Sequence, residues 1–217
     1  MPRIKPITTA EELAIFLRRR GGLGGVLSAA GRMSWAELIN EAVHKAEDLQ
    51  PQVKGELIGL SGEPSLETIR KIFTVWAAGA IPVLLNHRLP YEPALEQCRR
   101  SGCRFFYGPG EKSPELLSFQ PKARSIAQDR SQWATILFTT GSTGEPKACV
   151  HTFRNHFYSA LGANENMPLT AGDRWLLSLP LFHVGGLGVL FRTMLSGASV
   201  VIPPEPSLSA SLDFTEP

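Results

Sequence analysis

Residues 136–151 read ILFTTGSTGEPKACVH. An apolar run, Ile136-Leu137-Phe138, predicts a strand that delivers the chain into a loop. The loop carries Thr139, Thr140, Ser142 and Thr143 as hydroxyls, Gly141 and Gly144, and finally Lys147. Glycines allow backbone N–H groups to turn toward an anion, hydroxyls add donors, and a lysine supplies a point charge. Such a connection can hold a polyphosphate. The same composition also suits a hydrophilic hairpin turn. It is not a Walker A loop, because Pro146 precedes the lysine and a strand follows where a helix should open. Nor does it have the G-x-G-x-x-G spacing of a dinucleotide fingerprint.

Strands and helices alternate on both sides of this loop. Upstream, Thr8 and Thr9 with Glu11 and Glu12 suggest capping boxes for a helix to about Arg19, broken by Gly21, Gly22, Gly24 and Gly25. Ser34-Trp35-Ala36-Glu37 is a second capping box, opening a helix to about Leu49. Strands are expected at 56–60, 81–85 and 104–107, with helices at 65–78 and 93–101, the latter closed by Gly102. The polar run 109–130 reads as a surface excursion. Downstream, a short strand at 148–151 precedes a helix at 153–163, a strand at 175–179, a helix at 187–195 and a strand at 198–202. Regular alternation of this kind predicts an α/β fold with mostly parallel sheets flanked by helices.

The chain has 217 residues, 22 Lys+Arg against 20 Asp+Glu, and 43% hydrophobic residues. That suits one large globular domain or two small ones. The near balance of charge argues against nucleic acid as a partner. Cys98, Cys103 and Cys149 are too few for a disulfide framework or zinc site and read as reduced thiols, so a cytoplasmic setting and no bound metal are expected. The start lacks the apolar run of a signal peptide, and the apolar stretch 184–191 is too short to span a bilayer.

Taken together, FTTGSTGEPKACVHT from Phe138, GAIPVLLNHRLP from Gly79 and DRWLLSLPLFHVGGLGVL from Asp173 resemble the AMP-forming acyl-CoA synthetase, adenylation-domain and luciferase superfamily. The resemblance covers about residues 35–202. Ala148 stands where the superfamily usually has glycine. The resemblance implies the N-terminal portion of that superfamily's large domain and a two-step reaction. A carboxylate attacks the α-phosphorus of ATP to give acyl-AMP and pyrophosphate, and coenzyme A then displaces AMP. It implies ATP, Mg²⁺ and coenzyme A as cofactors and co-substrates. It also implies that Thr139, Thr140, Gly141, Ser142, Thr143, Gly144 and Lys147 hold the β- and γ-phosphates.

A second group of residues concerns the acid. From Trp175 to Pro204 the only formal charge is Arg192, one helical turn beyond Gly188 and two beyond Gly185. That places a cation beside a strip without side chains. An arginine here could also snorkel to solvent or pair with a structural carboxylate. His183 follows Leu179-Pro180-Leu181-Phe182 at an expected strand end, where parallel sheets bind ligands. His44, His87, His151 and His156 are expected to be structural or superficial. The combination Phe-His-Val-Gly-Gly…Phe-Arg resembles the o-succinylbenzoate–CoA ligases of menaquinone and phylloquinone synthesis. There, the resemblance implies, His183 and Gly188 line the acid pocket and Arg192 meets the carboxylate that is not activated. Another aryl- or fatty-acyl-CoA synthetase, an adenylation domain, and a non-catalytic fragment that binds nucleotide or a partner remain open.

The superfamily's later motifs, for adenine, ribose and the catalytic lysine of a C-terminal domain, do not occur in the sequence. Residues 1–217 are therefore expected to be an incomplete adenylate-forming domain. The chain could be an N-terminal piece, a shortened reading frame, or one half of an enzyme completed in trans.

Overall fold

The computed structural model describes residues 5–118, 130–139 and 146–203. Ten strands and six helices are arranged as two sheets sharing a helical core among the described residues.

The larger sheet is built on strands buried along their whole length. These are β3 (Leu57–Ser61), β4 (Ile81–Leu85) and β5 (Phe105–Tyr107). They pair in parallel, as continuous apolar runs covered on both faces should. With β6 (Glu115–Leu116), β7 (Trp133–Thr139) and β8 (Lys147–Thr152) the spatial order is β6-β5-β3-β4-β7-β8. The two outermost strands run antiparallel to their neighbours. The smaller sheet holds β1 (Gly25–Ser28), β2 (Gly31–Ser34), β9 (Arg174–Leu176) and β10 (Ser199–Val201) in the order β2-β1-β10-β9. The α/β expectation holds, with mostly parallel strands. The expected glycine break after the first helix is instead followed by the β1–β2 hairpin, whose first strand pairs with β10 about 175 residues away.

Helix α1 (Ala10–Arg19) starts at Thr9, and α2 (Trp35–Val53) opens on the expected Ser34/Glu37 capping box, with both reciprocal bonds made. Helices α3 (Leu66–Ala77), α4 (Tyr91–Ser101), α5 (Phe153–Asn166) and α6 (Val184–Ser196) complete the set. Helix α4 ends on Gly102 in the left-handed conformation, φ 82°, where glycine has no Cβ penalty. It covers one face of the larger sheet with Ala94 and Cys98 over Ile81, Val83, Phe106 and Ile136.

All the other helices contribute to one apolar cluster that takes residues from both sheets. Its centre is a run of aromatic contacts. Phe73 stacks on Trp35 at 6.2 Å, and Trp76 meets Phe73, Phe153 and Phe191 at 5.3, 5.3 and 5.8 Å. Each indole N–H is satisfied across the core. Trp35 Nε1 donates to the Ala198 carbonyl at 3.0 Å, and Trp76 Nε1 to the Ala134 carbonyl at 2.7 Å. The first bond ties α2 to the smaller sheet and the second ties α3 to β7. Burying those rings with their polar edges paired avoids leaving an orphan donor in the core.

Candidate active site

The predicted phosphate loop is a hairpin connection. Thr139 ends β7 and pairs directly with Lys147, the first residue of β8. Thr140, Gly141, Ser142, Thr143 and Gly144 lie outside the described residues. Partners directly opposite in an antiparallel pair share a face. Thr139, Lys147, Cys149, Leu137, His151 and Thr135 therefore share one face of the hairpin. Thr139 Oγ1 lies 3.7 Å from Cys149 Sγ, and Lys147 is exposed. At the base of the loop the structure thus brings together a hydroxyl and an exposed ammonium.

Lower on the same face is His156 from α5, only 4% exposed. Its Nε2 is 2.9 Å from Thr135 Oγ1, and its ring lies flat on Phe191 of α6 at 4.5 Å and 12°. His151 stacks on its other side at 5.4 Å. Burial, with a smaller contribution from His151, pushes the His156 imidazole down to about 3. It is therefore neutral at physiological pH. The structural role expected for His156 is what the packing shows, and it joins the hairpin to α6.

Helix α6 carries the residues expected at the acid pocket. His183 is its N-cap without a side-chain cap bond. The expected strand at 175–179 ends earlier, at Leu176, so His183 sits on the turn entering a helix rather than at a strand end. The helix can approach that turn closely because residue 186 is glycine. A Cβ there would lie 2.2 Å from the Pro180 carbonyl oxygen. At Gly188 a Cβ would meet nothing within 4 Å, so the strip before Arg192 is open, as expected. Gly185 is different, since a Cβ there would press on Leu179 Cδ1 at 2.6 Å. Exposed Leu179 and Val184 flank the exposed His183.

Among the described residues Arg192 neither snorkels freely nor meets a carboxylate. Its Nε donates to Asn164 Oδ1 at 2.8 Å and its Nη2 to the Met167 carbonyl at 2.8 Å. Asn164 Nδ2 donates back to the Arg192 carbonyl at 3.3 Å. The guanidinium carbon lies 4.3 Å from the centroid of Trp175. Met167 is the C-cap of α5, so the cation also sits at the negative end of that helix. Every one of these partners is uncharged. Among the described residues Arg192 makes no ion pair. Burial lowers its pKa, but a guanidinium stays protonated.

Sequence reasoning missed Asn164 and Trp175, whose relation to Arg192 is wholly tertiary. It also set His87 aside. That ring follows β4 and meets Phe182 edge-on at 5.5 Å, while Phe182 lies 4.3 Å from the His183 ring. The His87 Nδ1 is buried without a hydrogen-bond partner, and burial lowers the ring's pKa. No group of three or more His, Cys, Asp or Glu side chains among the described residues could hold a metal ion. No described helix is long and apolar enough to cross a membrane.

Mostly parallel strands flanked by helices, with the β7–β8 hairpin bearing Thr139 and Lys147 at its end, define an α/β domain. The chain belongs to the AMP-binding enzyme family, which it matches over residues 23–215. It is 30% identical over 196 residues to the 2-succinylbenzoate–CoA ligase of Bacillus subtilis (strain 168), covering 82% of this chain and 40% of that protein. It is 34% identical over 182 residues to the enzyme of the same name from Bacillus pumilus, covering 77% and 37%. The chain thus spans about two fifths of the length of these curated relatives. Among solved structures it resembles the o-succinylbenzoate coenzyme A synthetase (MenE) of Bacillus subtilis in complex with AMP, with TM-score 0.75 and 27% identity over 91% of this chain and 57% of that one. The same enzyme in complex with the acyl-adenylate intermediate OSB-AMP also gives TM-score 0.75 and 27% identity, over 91% and 58%. The Klebsiella oxytoca NpsA N-terminal subdomain, at 20% identity and TM-score 0.75, shares the fold, with coverage of 94% and 56%.

Proposed function

We propose that this chain supplies the phosphate-gripping and acid-binding parts of an AMP-forming acid–thiol ligase. In this reading the ligase adenylates o-succinylbenzoate with ATP and passes the acyl group to coenzyme A. The reaction takes place in the cytoplasm. The adenine site and the thioester-forming domain are supplied by the remainder of the enzyme, in the same reading frame or in trans.

In the first step a carboxylate oxygen of the acid forms a bond to the α-phosphorus, and the bond from that phosphorus to the leaving pyrophosphate breaks. Negative charge then grows on the β- and γ-phosphates. Thr139 and Lys147, with the loop residues 140–144, offer donors and a positive charge for it. Mg²⁺ normally enters such sites with the nucleotide's phosphates, and the described residues hold no carboxylate cluster of their own for it. The described residues therefore bind and orient, and the second step needs groups beyond them.

The observation that carries the choice of acid is the state of Arg192. A cation held at 2.8 Å by two neutral acceptors and an indole face is fixed in place, and among the described residues it is not neutralised. A monoacid with an alkyl tail has no use for it. A dianionic acid does, because its second carboxylate can pair with a guanidinium whose positional entropy is already spent. Gly188 leaves room beside it, and His183 with Phe182 and His87 gives that end of the helix an aromatic wall.

The test is a two-substrate comparison in a ligase that carries this segment. Losing one charge-assisted hydrogen bond costs about 1.5–3 kcal/mol, or roughly 10–150-fold. Arg192→Ala should lower kcat/KM for o-succinylbenzoate by that factor. It should spare the ester of the non-activated carboxylate. Equal losses on diacid and monoester would mean that Arg192 only holds α5, α6 and β9 together, and a general acyl-CoA synthetase would become the better reading.

A further inference from the structure

We infer that Asn164 is a specificity-determining residue: its neutral amide holds the Arg192 guanidinium for the substrate's second carboxylate without cancelling its charge. This inference rests on the reading of Arg192 given above.

Asn164 lies in the last turn of α5, 28 residues before Arg192, and the two side chains engage reciprocally. The amide oxygen accepts from Nε at 2.8 Å, and the amide nitrogen donates to the Arg192 backbone carbonyl at 3.3 Å. An amide is the one group of this size that can both accept and donate here. An aspartate would fit the same space and accept from Nε as an ion pair, in exchange for the amide's donation to the Arg192 carbonyl. The ion pair would offset the lost donation, so stability alone does not require the amide. The amide instead leaves a full positive charge at a fixed position.

The rest of the cradle is neutral in the same way. Nη2 donates to the Met167 carbonyl at 2.8 Å, where the end of α5 supplies partial negative charge but no ion. Trp175 offers a π face at 4.3 Å. Nε and Nη2 are thus occupied by acceptors that set the plane of the fork. The described structure gives Nη1 no hydrogen-bond partner, which leaves its donors for a ligand. The open strip at Gly188 lies one turn before Arg192 on the same helix face. The guanidinium itself is held between the C-terminal end of α5 and Trp175 of β9. Asn164 touches the arginine rather than the acid, which makes it a positioning residue.

A structural role and a charge-preserving role predict opposite rankings of two variants. If Asn164 only braces Arg192, Asn164→Asp keeps the acceptor and should be the milder change, while Asn164→Ala removes it and should be the worse. If the neutral charge state matters, the order reverses. Asn164→Asp cancels the cation, whereas Asn164→Ala loosens it but leaves it charged.

The measurement is ligand affinity on the chain itself. Titrate o-succinylbenzoate, and separately the ester of its non-activated carboxylate, into ¹⁵N-labelled protein while following the arginine Nε–Hε resonances. Alongside, record thermal melts of every variant. The wild-type chain should bind the diacid about 10–150-fold more tightly than the monoester. Asn164→Asp should bring that ratio to within about threefold of one without lowering Tm, matching Arg192→Ala. Asn164→Ala should retain an intermediate ratio and melt lower. If Asn164→Asp keeps the wild-type ratio while Arg192→Ala loses it, the inference fails and the reading of Arg192 stands. If Asn164→Ala loses more of the ratio than Asn164→Asp, the residue is a brace and the inference again fails. If the wild-type chain shows no preference, or Arg192→Ala keeps it, the reading of Arg192 fails and this inference falls with it.

Discussion

Replacing His156 by glutamine should make the folded chain measurably less sensitive to acid. In the unfolded chain an imidazole binds a proton near pH 6.5. In the folded chain His156 is 4% exposed, wedged between Phe191 and His151, and its imidazole is pushed down to about 3. Between these two values the unfolded state binds a proton that the folded state refuses, so stability falls as pH falls. The contribution is fully present above about pH 7 and is lost progressively toward pH 3. Each pH unit well inside that window costs about 1.4 kcal/mol, so lowering the pH from 7.5 to 5 should cost about 2 kcal/mol from this residue alone. Any folded value below about 4 gives nearly the same figure, because the loss over that range is set by the unfolded chain. Glutamine can still reach Thr135 and does not titrate. The assay is urea unfolding of wild type and His156→Gln at pH 7.5 and pH 5. The quantity read is the difference between their pH-induced losses, not the absolute stability, which the substitution will lower by disturbing the Phe191 stack. His87, whose pKa is also lowered by burial, remains in both proteins and cancels. A pH-induced loss in His156→Gln as large as in wild type would refute a buried neutral imidazole at this position.

Two further outcomes follow from the geometry around the loop and the helix. Gly186→Ala places a methyl group 2.2 Å from the Pro180 carbonyl oxygen and 2.8 Å from that of Leu179, both backbone atoms that cannot swing away. It should destabilise the chain by about 1–3 kcal/mol in denaturant unfolding, while the same change at Gly188, which has open space, should cost much less. In a ligase that carries this segment, Lys147→Ala should slow acid-dependent ATP–pyrophosphate exchange by roughly two orders of magnitude, as removal of one preorganised transition-state contact does. An unchanged exchange rate would detach Lys147 from the phosphates.

Local chemistry made much of the larger sheet legible from sequence. The Ser34/Glu37 capping box, the closing Gly102 and the buried runs at β3, β4 and β5 all lie where their residue types predict. The division into two sheets was not legible. Alternation of strands and helices says that strands exist but not which of them pair. β1 finds β10 through non-local contacts that leave no periodic mark on either segment. The hairpin that opens the smaller sheet is also disguised by its glycines. Gly25 reads as a breaker, yet it occupies a strand position where a Cβ would lie 2.2 Å from the Met33 carbonyl oxygen. In the site, the two ends of the phosphate loop and the isolation of Arg192 could be read directly. What holds Arg192 could not. Asn164 and Trp175 are unremarkable in sequence, and only the packing of α5 and β9 against α6 brings them to it.

The two ends of the site are placed by different forces, and that difference bears on how an acid is chosen. Register fixes the phosphate end: Thr139 and Lys147 face each other because every pair from Ile136 with Val150 to the loop is in step. The core fixes the proposed acid end: Leu187, Leu190, Phe191 and Met194 on one side of α6 are buried, while Gly188 and Arg192 lie on its more open side. His156 spans both, with its Nε2 on Thr135 in β7 and its ring face on Phe191 in α6. That contact uses the buried side of α6, next in sequence to Arg192 but turned away from it. On the proposed reading, changes among Arg192, Asn164 and Trp175 would therefore alter which acid is held without loosening the stack that ties α6 to the hairpin. Changes at Phe191 or His156 would disturb both ends together. In the proposed reading, specificity would thus be set on a part of the helix surface that the core does not need, which is where charge can be left uncancelled at least cost to the fold.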